Sequence, residues 1–318
     1  MKNNSLLSKS LMNTATSFGY NLFRYLLLIG VSYVAIYPIV KMLSASMTIA
    51  EDYFAGVAEY VPPRPTFVNY KNVQSYFEFF KCMKATLAVT IPSTIVSVFI
   101  SSLVGYGLGR YKFKGNAVVY AAVLFTIVMP IQTAQIPLYH YYHWFDFFGV
   151  GKIVGLFTGE TFSINLLPSL GRFLVPALFG VGLKAGIFIF LFRQFFESMP
   201  RDLEEAAKLD GCSPFKIYWK VMLPNIIPVL VTVILLSVIY YWNDSLVAGM
   251  ANLKIGSPLM VEVEKLIIDR GAKGEVSEMT RYVEYYSVMM MAVLPMILAY
   301  IFGQRFFVEC MDRSGSKG

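Results

Sequence analysis

A polar segment, residues 193–224, lies between two long apolar runs and combines carboxylates with small residues at fixed intervals. Its distinctive residues are Glu205, Ala206, Ala207, Asp210, Gly211, Leu223 and Pro224. Alanines let a partner surface approach the backbone closely, and the carboxylates supply charge for a complementary surface. The chemistry that this segment predicts is therefore noncovalent docking rather than catalysis.

The same segment contains the signals of a helix-turn-helix that lies outside the membrane. Pro200 suits a first helical position, and the acidic residues of the next turns are favoured there by the helix dipole. Gly211 can adopt the left-handed conformation that ends a helix. Ser213 and Pro214 read as the N-cap and first residue of a second helix. An ordinary amphipathic surface helix is the alternative interpretation.

Aromatic and polar residues also cluster at the end of a later apolar run, at Tyr240, Tyr241, Trp242, Asn243 and Asp244. Aromatic faces pack on the C–H surfaces of sugars, while amides and carboxylates hydrogen-bond to hydroxyl groups. We therefore predict Tyr241, Trp242 and Asn243 as residues of a substrate path. An aromatic belt at the membrane surface is the alternative.

Lys184 is a charged residue near the middle of an apolar run, where a charge is costly unless it has a partner or faces a cavity. One interpretation is a cation that faces the transport pathway and suits an acidic sugar. The other is a pairing with a carboxylate or carbonyl of a neighbouring helix.

Signatures of other functions are absent from the sequence. Gly151-Lys152-Ile153 does not fit a phosphate-binding loop, and no catalytic triad is recognisable. His140 and His143 are better explained by an aromatic belt than by a metal site. The three cysteines, Cys82, Cys212 and Cys310, have neither disulfide nor metal spacing. The net charge of +7 comes with no nucleic-acid motif. We predict no cofactor and no metal on this chain.

The elements that must position these residues are membrane helices. Hydrophobic residues make up 56% of the 318 and charged residues 15%, and the mean hydropathy is +0.57, which is too apolar for a soluble domain. A helix needs roughly 20 apolar residues to cross a bilayer. We predict an all-α integral membrane protein with one domain, residues 1–318, and six spans at about 25–46, 85–109, 117–139, 173–192, 225–243 and 285–304.

The basic residues predict the orientation of these spans. Residues 1–24 carry three lysines or arginines and no acid, as do residues 110–114 after the second span. Such segments stay in the cytoplasm. Both termini and the loop 193–224 are then cytoplasmic, and the first apolar run is expected to be a retained helix rather than a cleaved signal peptide.

Two glycines of the second span, Gly105 and Gly109, form a small-xxx-small pair. This spacing lets the backbones of two membrane helices approach closely. We predict a packing role for both.

Several motifs, in this order and spacing, resemble a known family. They are Leu43-Ser44-Ala45-Ser46, Pro65-Thr66-Phe67-Val68-Asn69-Tyr70, Gly105-Tyr106-Gly107-Leu108-Gly109-Arg110, Phe192-Arg193-Gln194, the Glu205-Ala206-Ala207 loop, Trp242-Asn243-Asp244, Gln304-Arg305-Phe306-Phe307 and Lys317-Gly318. The chain resembles the permeases of bacterial ABC importers of the carbohydrate type, and most closely the smaller permease of maltose-type transporters. The family consensus has Ile where this chain has Val221.

The resemblance implies a multi-pass protein of the bacterial cytoplasmic membrane that imports a sugar or oligosaccharide. It implies a second permease, two ATPase subunits or domains and an extracytoplasmic solute-binding protein as partners, in contact with membrane lipids and without nucleic acid. ATP and Mg²⁺ would bind the partner ATPase, which would contact the Glu205-Ala206-Ala207 loop. A permease for amino acids or peptides, an ion-coupled transporter and a membrane enzyme remain as alternatives.

Overall fold

A computed structural model describes residues 2–56, 60–273 and 278–315 of the chain. Within these ranges every regular element is helical, and Phe145 and Ile164 form one isolated antiparallel bridge. The helices are α1 (Lys2–Ser46), α2 (Ala50–Phe54), α3 (Val68–Gln74), α4 (Phe79–Arg110), α5 (Asn116–Val128), α6 (Gln135–His143), α7 (Val150–Thr158), α8 (Gly171–Leu178), α9 (Ala185–Ser198), α10 (Asp202–Leu209), α11 (Pro214–Ile217), α12 (Leu223–Asn225), α13 (Ile227–Trp242), α14 (Leu246–Gly249), α15 (Leu259–Lys273) and α16 (Glu278–Gly315). Lys317-Gly318 of the predicted tail motif lies outside the described residues.

Four stretches in the described part of the chain are long and apolar enough to cross a membrane as single helices. They are Phe18–Ser46, Phe79–Arg110, Ile227–Gly249 and Met279–Ile301. They contain most of the first, second, fifth and sixth predicted spans. One bent pair of helices would make a fifth crossing. The count of six spans therefore stays a prediction.

The third predicted span, 117–139, is not one straight helix. Asn116–Val128 and Ile131–His143 meet at an angle of 99°. Pro130 explains the bend, because a proline disfavours the helical conformation in the residue before it. Met129 is accordingly extended, with φ −71° and ψ 120°.

The fourth predicted span, 173–192, is also not continuous, because α8 ends at Leu178 and α9 begins at Ala185. Gly180 has a φ of +72°, and the amides of Gly180 and Val181 donate to the carbonyls of Ala177 and Pro176. This pattern closes the end of a helix around a left-handed glycine. The apolar pattern did not reveal the break, because Lys184 is the only charged residue within it and its other residues are apolar or glycine.

The chain divides into two compact units, of which the first comprises residues 1–76 and 273–291. In this unit the Asn69 amide donates to the carbonyls of Ser46 and Thr48, at 3.0 and 2.8 Å. The Ser287 hydroxyl donates to the Ser46 carbonyl at 3.1 Å. These bonds satisfy backbone groups at the end of α1 and fix α3 and α16 against it.

The second unit comprises residues 77–272 and 292–318 and contains the predicted functional residues. Its central contact is between α4 and α9, which pack backbone to backbone. A Cβ atom added to Gly105 would lie 2.6 Å from the Phe192 Cβ, and one on Gly109 would lie 3.0 Å from the Arg193 carbonyl oxygen. The structure thus confirms the predicted packing role of both glycines.

Candidate functional site

The polar segment folds as the predicted helix-turn-helix. The first helix, α10, ends at a left-handed Gly211 with φ +74°, whose amide donates to the Lys208 carbonyl. Ser213 is extended and its side-chain oxygen accepts the Lys216 amide at 3.4 Å, with Pro214 at the first position of α11. Only the start differs: α10 begins at Asp202 rather than at Pro200.

The surface of α10 is polar and exposed on one side and packed on the other. Glu205, Ala206 and Asp210 are exposed, whereas Ala207 is buried against the apolar cluster beneath the loop. Leu209, at the end of the helix, is 90% exposed. A side chain of this kind costs free energy in water, so the loop presents an acidic and apolar surface suited to a protein partner.

An ion pair between Arg110 and Glu204 holds α10 against the membrane helices. The Arg110 Nε lies 3.1 Å from Glu204 Oε1, and their side chains are 4% and 12% exposed. The second carboxylate oxygen accepts a hydrogen bond from Arg110 Nη2 at 3.1 Å. Tyr106 donates to the same carboxylate at 3.0 Å. The carboxylate therefore has charge-assisted partners on both oxygens.

Arg110 also donates to the ends of the neighbouring helix. Its Nη1 atom lies 2.8 Å from the Met199 carbonyl oxygen and 3.2 Å from that of Phe196. One side chain thus joins the end of α4, the end of α9 and the start of α10.

Leu223 and Pro224, the last two residues predicted for partner docking, lie at the start of α12. Leu223 is half-buried and Pro224 is exposed. The helix widens into a π turn over Tyr218–Met222 immediately before them. Pro224 would clash with the carbonyl four residues earlier in a regular α-helix, and a wider turn relieves that clash. The Asn225 side chain donates to the Val221 carbonyl at 2.7 Å.

A cavity of about 500 Å³ lies among α5, α6, α8, α9 and α13. Its walls are mostly apolar, and its polar lining residues include Lys184, Tyr241, Arg172, Tyr142 and Thr126. Two of the four residues predicted for a substrate path, Lys184 and Tyr241, therefore share one cavity.

The other two predicted path residues do not line this cavity. Trp242 is buried, and the Asn243 side chain is exposed and donates to the Ile239 carbonyl at 2.9 Å. Asp244 caps α14, since its carboxylate accepts the amides of Val247 and Ala248 at 3.3 and 2.8 Å.

Lys184 lies half-buried in the break before α9, with a φ of +58°. Its Nζ atom is 5.7 Å from the centre of the Tyr240 ring. Among the ion pairs of the described residues, none within 4 Å involves Lys184. The expected pairing with a carboxylate is therefore not found in this part of the chain.

Arg172 and the Arg110–Glu204 pair are functional candidates that the sequence did not single out. Arg172 reads as a loop residue beside an apolar run, but it is 1% exposed. Only indirect signals for the Arg110–Glu204 pair are present in the sequence: Arg110 is the last residue of one quoted motif, and Glu204 directly precedes the Glu205-Ala206-Ala207 motif.

The two histidines lie in an aromatic cluster. His140 and His143 have ring centres 4.6 and 4.0 Å from that of Trp144, and His143 stacks on Tyr139. No group of three metal-binding side chains occurs within the described ranges.

The chain resembles known proteins in family, sequence and structure. The family described as "Binding-protein-dependent transport system inner membrane component" matches residues 97–311. The alpha-glucoside transport system permease protein AglG of Rhizobium meliloti (strain 1021) is 30% identical over 257 residues, which is 81% of this chain and 62% of that relative. The polygalacturonan/rhamnogalacturonan transport system permease protein YtcP of Bacillus subtilis (strain 168) is 25% identical over 298 residues, covering 91% of this chain and 95% of the relative.

A solved structure is similar over almost the whole chain. It belongs to a bacterial ABC transporter involved in the import of the acidic polysaccharide alginate. The TM-score is 0.65 at 26% identity, covering 91% of this chain and 96% of the other. This similarity confirms the all-helical permease fold that the sequence predicts.

Proposed function

This chain belongs to the family of binding-protein-dependent transport system inner membrane components, and from that premise we propose that it forms half of the translocation pathway of a bacterial ATP-driven saccharide importer. The family confirms the predicted resemblance to ABC importer permeases and the location in the bacterial cytoplasmic membrane. The chain is a permease subunit, and ATP hydrolysis takes place on a separate partner.

The exposed surface of α10, joined to the membrane helices by Arg110, is the observation that carries this proposal. The exposed residues of the predicted set and the half-buried Leu223 form the contact with the ATPase, namely Glu205, Ala206, Asp210, Gly211, Leu223 and Pro224. Ala207, which was also predicted for this contact, is buried and instead packs α10 against the apolar cluster. When ATP binding closes two ATPase subunits, they draw α10 and its counterpart in the second permease together. The buried ion pair passes this displacement to α4 and α9, which turn the pathway towards the outside. ATP hydrolysis resets it.

Saccharide is the substrate class that the relatives support. The names of the two relatives refer to transport of alpha-glucosides and of polygalacturonan/rhamnogalacturonan, and the solved structure belongs to a transporter involved in the import of alginate. An extracytoplasmic binding protein delivers the solute to a pathway between this chain and a second permease. The cavity lined by Lys184 and Tyr241 is the contribution of this chain to that pathway.

The proposed topology has six spans in one domain, with both termini and residues 193–224 in the cytoplasm. Two of the six crossings, the bent third and the interrupted fourth, are broken at Pro130 and Gly180. Membrane proteins tolerate such breaks where the irregular backbone is covered by protein or lines a cavity, and Pro130 and Gly180 both line the cavity described above.

Thiol labelling of Cys212 tests the orientation on which the proposal depends. Cys82 is buried and a poor reporter, so Cys82 and Cys310 are replaced by alanine. We expect Cys212 to stay unlabelled by an impermeant maleimide in intact cells and to react in inside-out vesicles washed free of ATPase.

A matched control is Ser163→Cys in the same background with Cys212→Ala, because Ser163 is exposed in a loop that should face outward. This control should label in intact cells. Labelling of Cys212 from outside would place α10 beyond reach of any ATPase and would refute the proposal.

A further inference from the structure

We infer that the cavity beside α9 contains a subsite for the carboxylate of an acidic saccharide, formed by Lys184 and supported by Arg172. This inference rests on the proposed function, because it specifies the charge of the transported saccharide.

Lys184 brings an uncompensated positive charge to the cavity wall. It precedes α9 directly, and Ala185 and Gly186 at the start of that helix line the same cavity. The amino end of a helix carries a partial positive charge, so its dipole adds to the charge of the ammonium group. The Lys184 Nζ atom lies 5.7 Å from the centre of the Tyr240 ring. An aromatic ring does not neutralise the charge of a cation.

Arg172 provides a second positive charge with a hydrogen-bond donor left over. Its Nη1 and Nη2 atoms donate to the carbonyls of Ala251 and Ala248, at 3.0 and 2.8 Å. Its Nε atom is buried and has no hydrogen-bond partner. Tyr241 lines the same cavity, but its buried hydroxyl has hydrogen-bonding groups of Ser97 and Leu183 close to it. The Arg172 Nε is therefore the unpaired donor on this wall, and a buried donor left unpaired costs free energy and favours a ligand that supplies an acceptor.

The negative charge near these cations offsets only part of their charge, because Asp244 is close enough to attract Arg172 but faces two cations. Asp244 already accepts the amides of Val247 and Ala248. It forms no ion pair within 4 Å in the described part of the chain. Two cations and one engaged carboxylate leave this wall with a net positive charge.

A carboxylate attached to a sugar ring fits this combination of charge and apolar wall. In a site of low dielectric constant, an unpaired cation gains most from an anionic ligand. Phe179 and Val181 line the cavity and are exposed, so they offer apolar surface for the C–H faces of the ring. A neutral saccharide would leave Lys184 without a counter-charge, so the site favours an acidic saccharide over a neutral one.

The test measures protection of a cysteine placed in the cavity of the assembled importer. Ala122 is exposed and lines the cavity, so Ala122→Cys in a background with Cys82, Cys212 and Cys310 replaced by alanine gives a single labelling site. Galacturonate and galactose are the probes, since they differ only at C6, which is a carboxylate in the first and a hydroxymethyl group in the second. We expect galacturonate to slow thiol labelling and galactose to leave it unchanged. Lys184→Met should abolish the protection and Lys184→Arg should keep it.

Lys152→Met is the matched control, because Lys152 is an exposed lysine outside the cavity; protection should be unaffected. Equal protection by both sugars, or protection by galacturonate that survives Lys184→Met, would overturn the inference. If the Lys184→Met importer does not assemble, the comparison of the two sugars on the wild-type importer still decides whether the cavity prefers the carboxylate. Saccharide uptake in the same vesicles reports the proposed function separately, so an importer that moves no saccharide yet shows acid-selective protection would refute only that function.

Discussion

Gly105→Val is expected to prevent folding of the permease in the membrane. A Cβ at this position would lie 2.6 Å from the Phe192 Cβ and 3.0 Å from the Arg193 amide nitrogen. The second contact is with backbone, which cannot rotate away, so α4 and α9 would have to separate. Overpacking in a close-packed interior typically costs about 1–3 kcal/mol, and separation of two backbones costs more. Thermal unfolding of the purified importer should show a large drop in midpoint or no folded protein.

Gly107→Ala is the matched control for that substitution. Gly107 lies two residues along the same helix, and a Cβ there meets nothing within 4 Å. Since alanine favours a helix by about 1 kcal/mol over glycine, this variant should be at least as stable as the wild type. Equal stability of the two variants would contradict the close packing of α4 on α9.

Arg110→Met is expected to destabilise the permease by about 3–5 kcal/mol, because it leaves the Glu204 carboxylate buried without its counter-charge. It should also reduce transport, because α10 loses its link to the ends of α4 and α9. Thermal unfolding and ATP-driven uptake of the assembled complex measure the two effects.

The double variant Arg110→Met, Glu204→Gln separates the two roles. Removing both charges should recover much of the stability, since no unpaired ion remains. Uptake should stay low, because the link is still missing. Lys81→Met is the control, since its partner Glu78 is exposed and such pairs contribute about 1 kcal/mol or less. Full transport in the double variant would show that the ion pair does not transmit movement.

The sequence predicted best those features that depend on local chemistry. Gly211 ends α10 because a left-handed residue is needed there, and Ser213-Pro214 starts the next helix for equally local reasons. Long apolar runs located four of the membrane helices, because length and hydropathy are properties of the sequence itself. Such runs concealed the breaks at Pro130 and Gly180, because apolar composition does not report the direction of the chain.

The sequence predicted only some of the residues that line the cavity, and helix geometry explains why. Tyr241, Trp242 and Asn243 follow one another, and consecutive residues of a helix point about 100° apart. They therefore do not all face one cavity, and only Tyr241 lines it. Glu204 and Arg110 are 94 residues apart in the sequence. Nothing local indicates that they pair, so this contact required the tertiary structure.

The central claim is that α10 receives the movement of an ATPase, and Glu205→Lys tests it most directly. Glu205 is exposed and forms no ion pair within the described residues, so the reversal should leave the fold intact. Reversal of a charge at a complementary interface costs several kcal/mol. In the reconstituted importer, we expect Glu205→Lys to abolish the ATP hydrolysis that the loaded binding protein stimulates, whereas the exposed control Glu160→Lys retains it. Stimulation of Glu205→Lys at the wild-type level would contradict the claim.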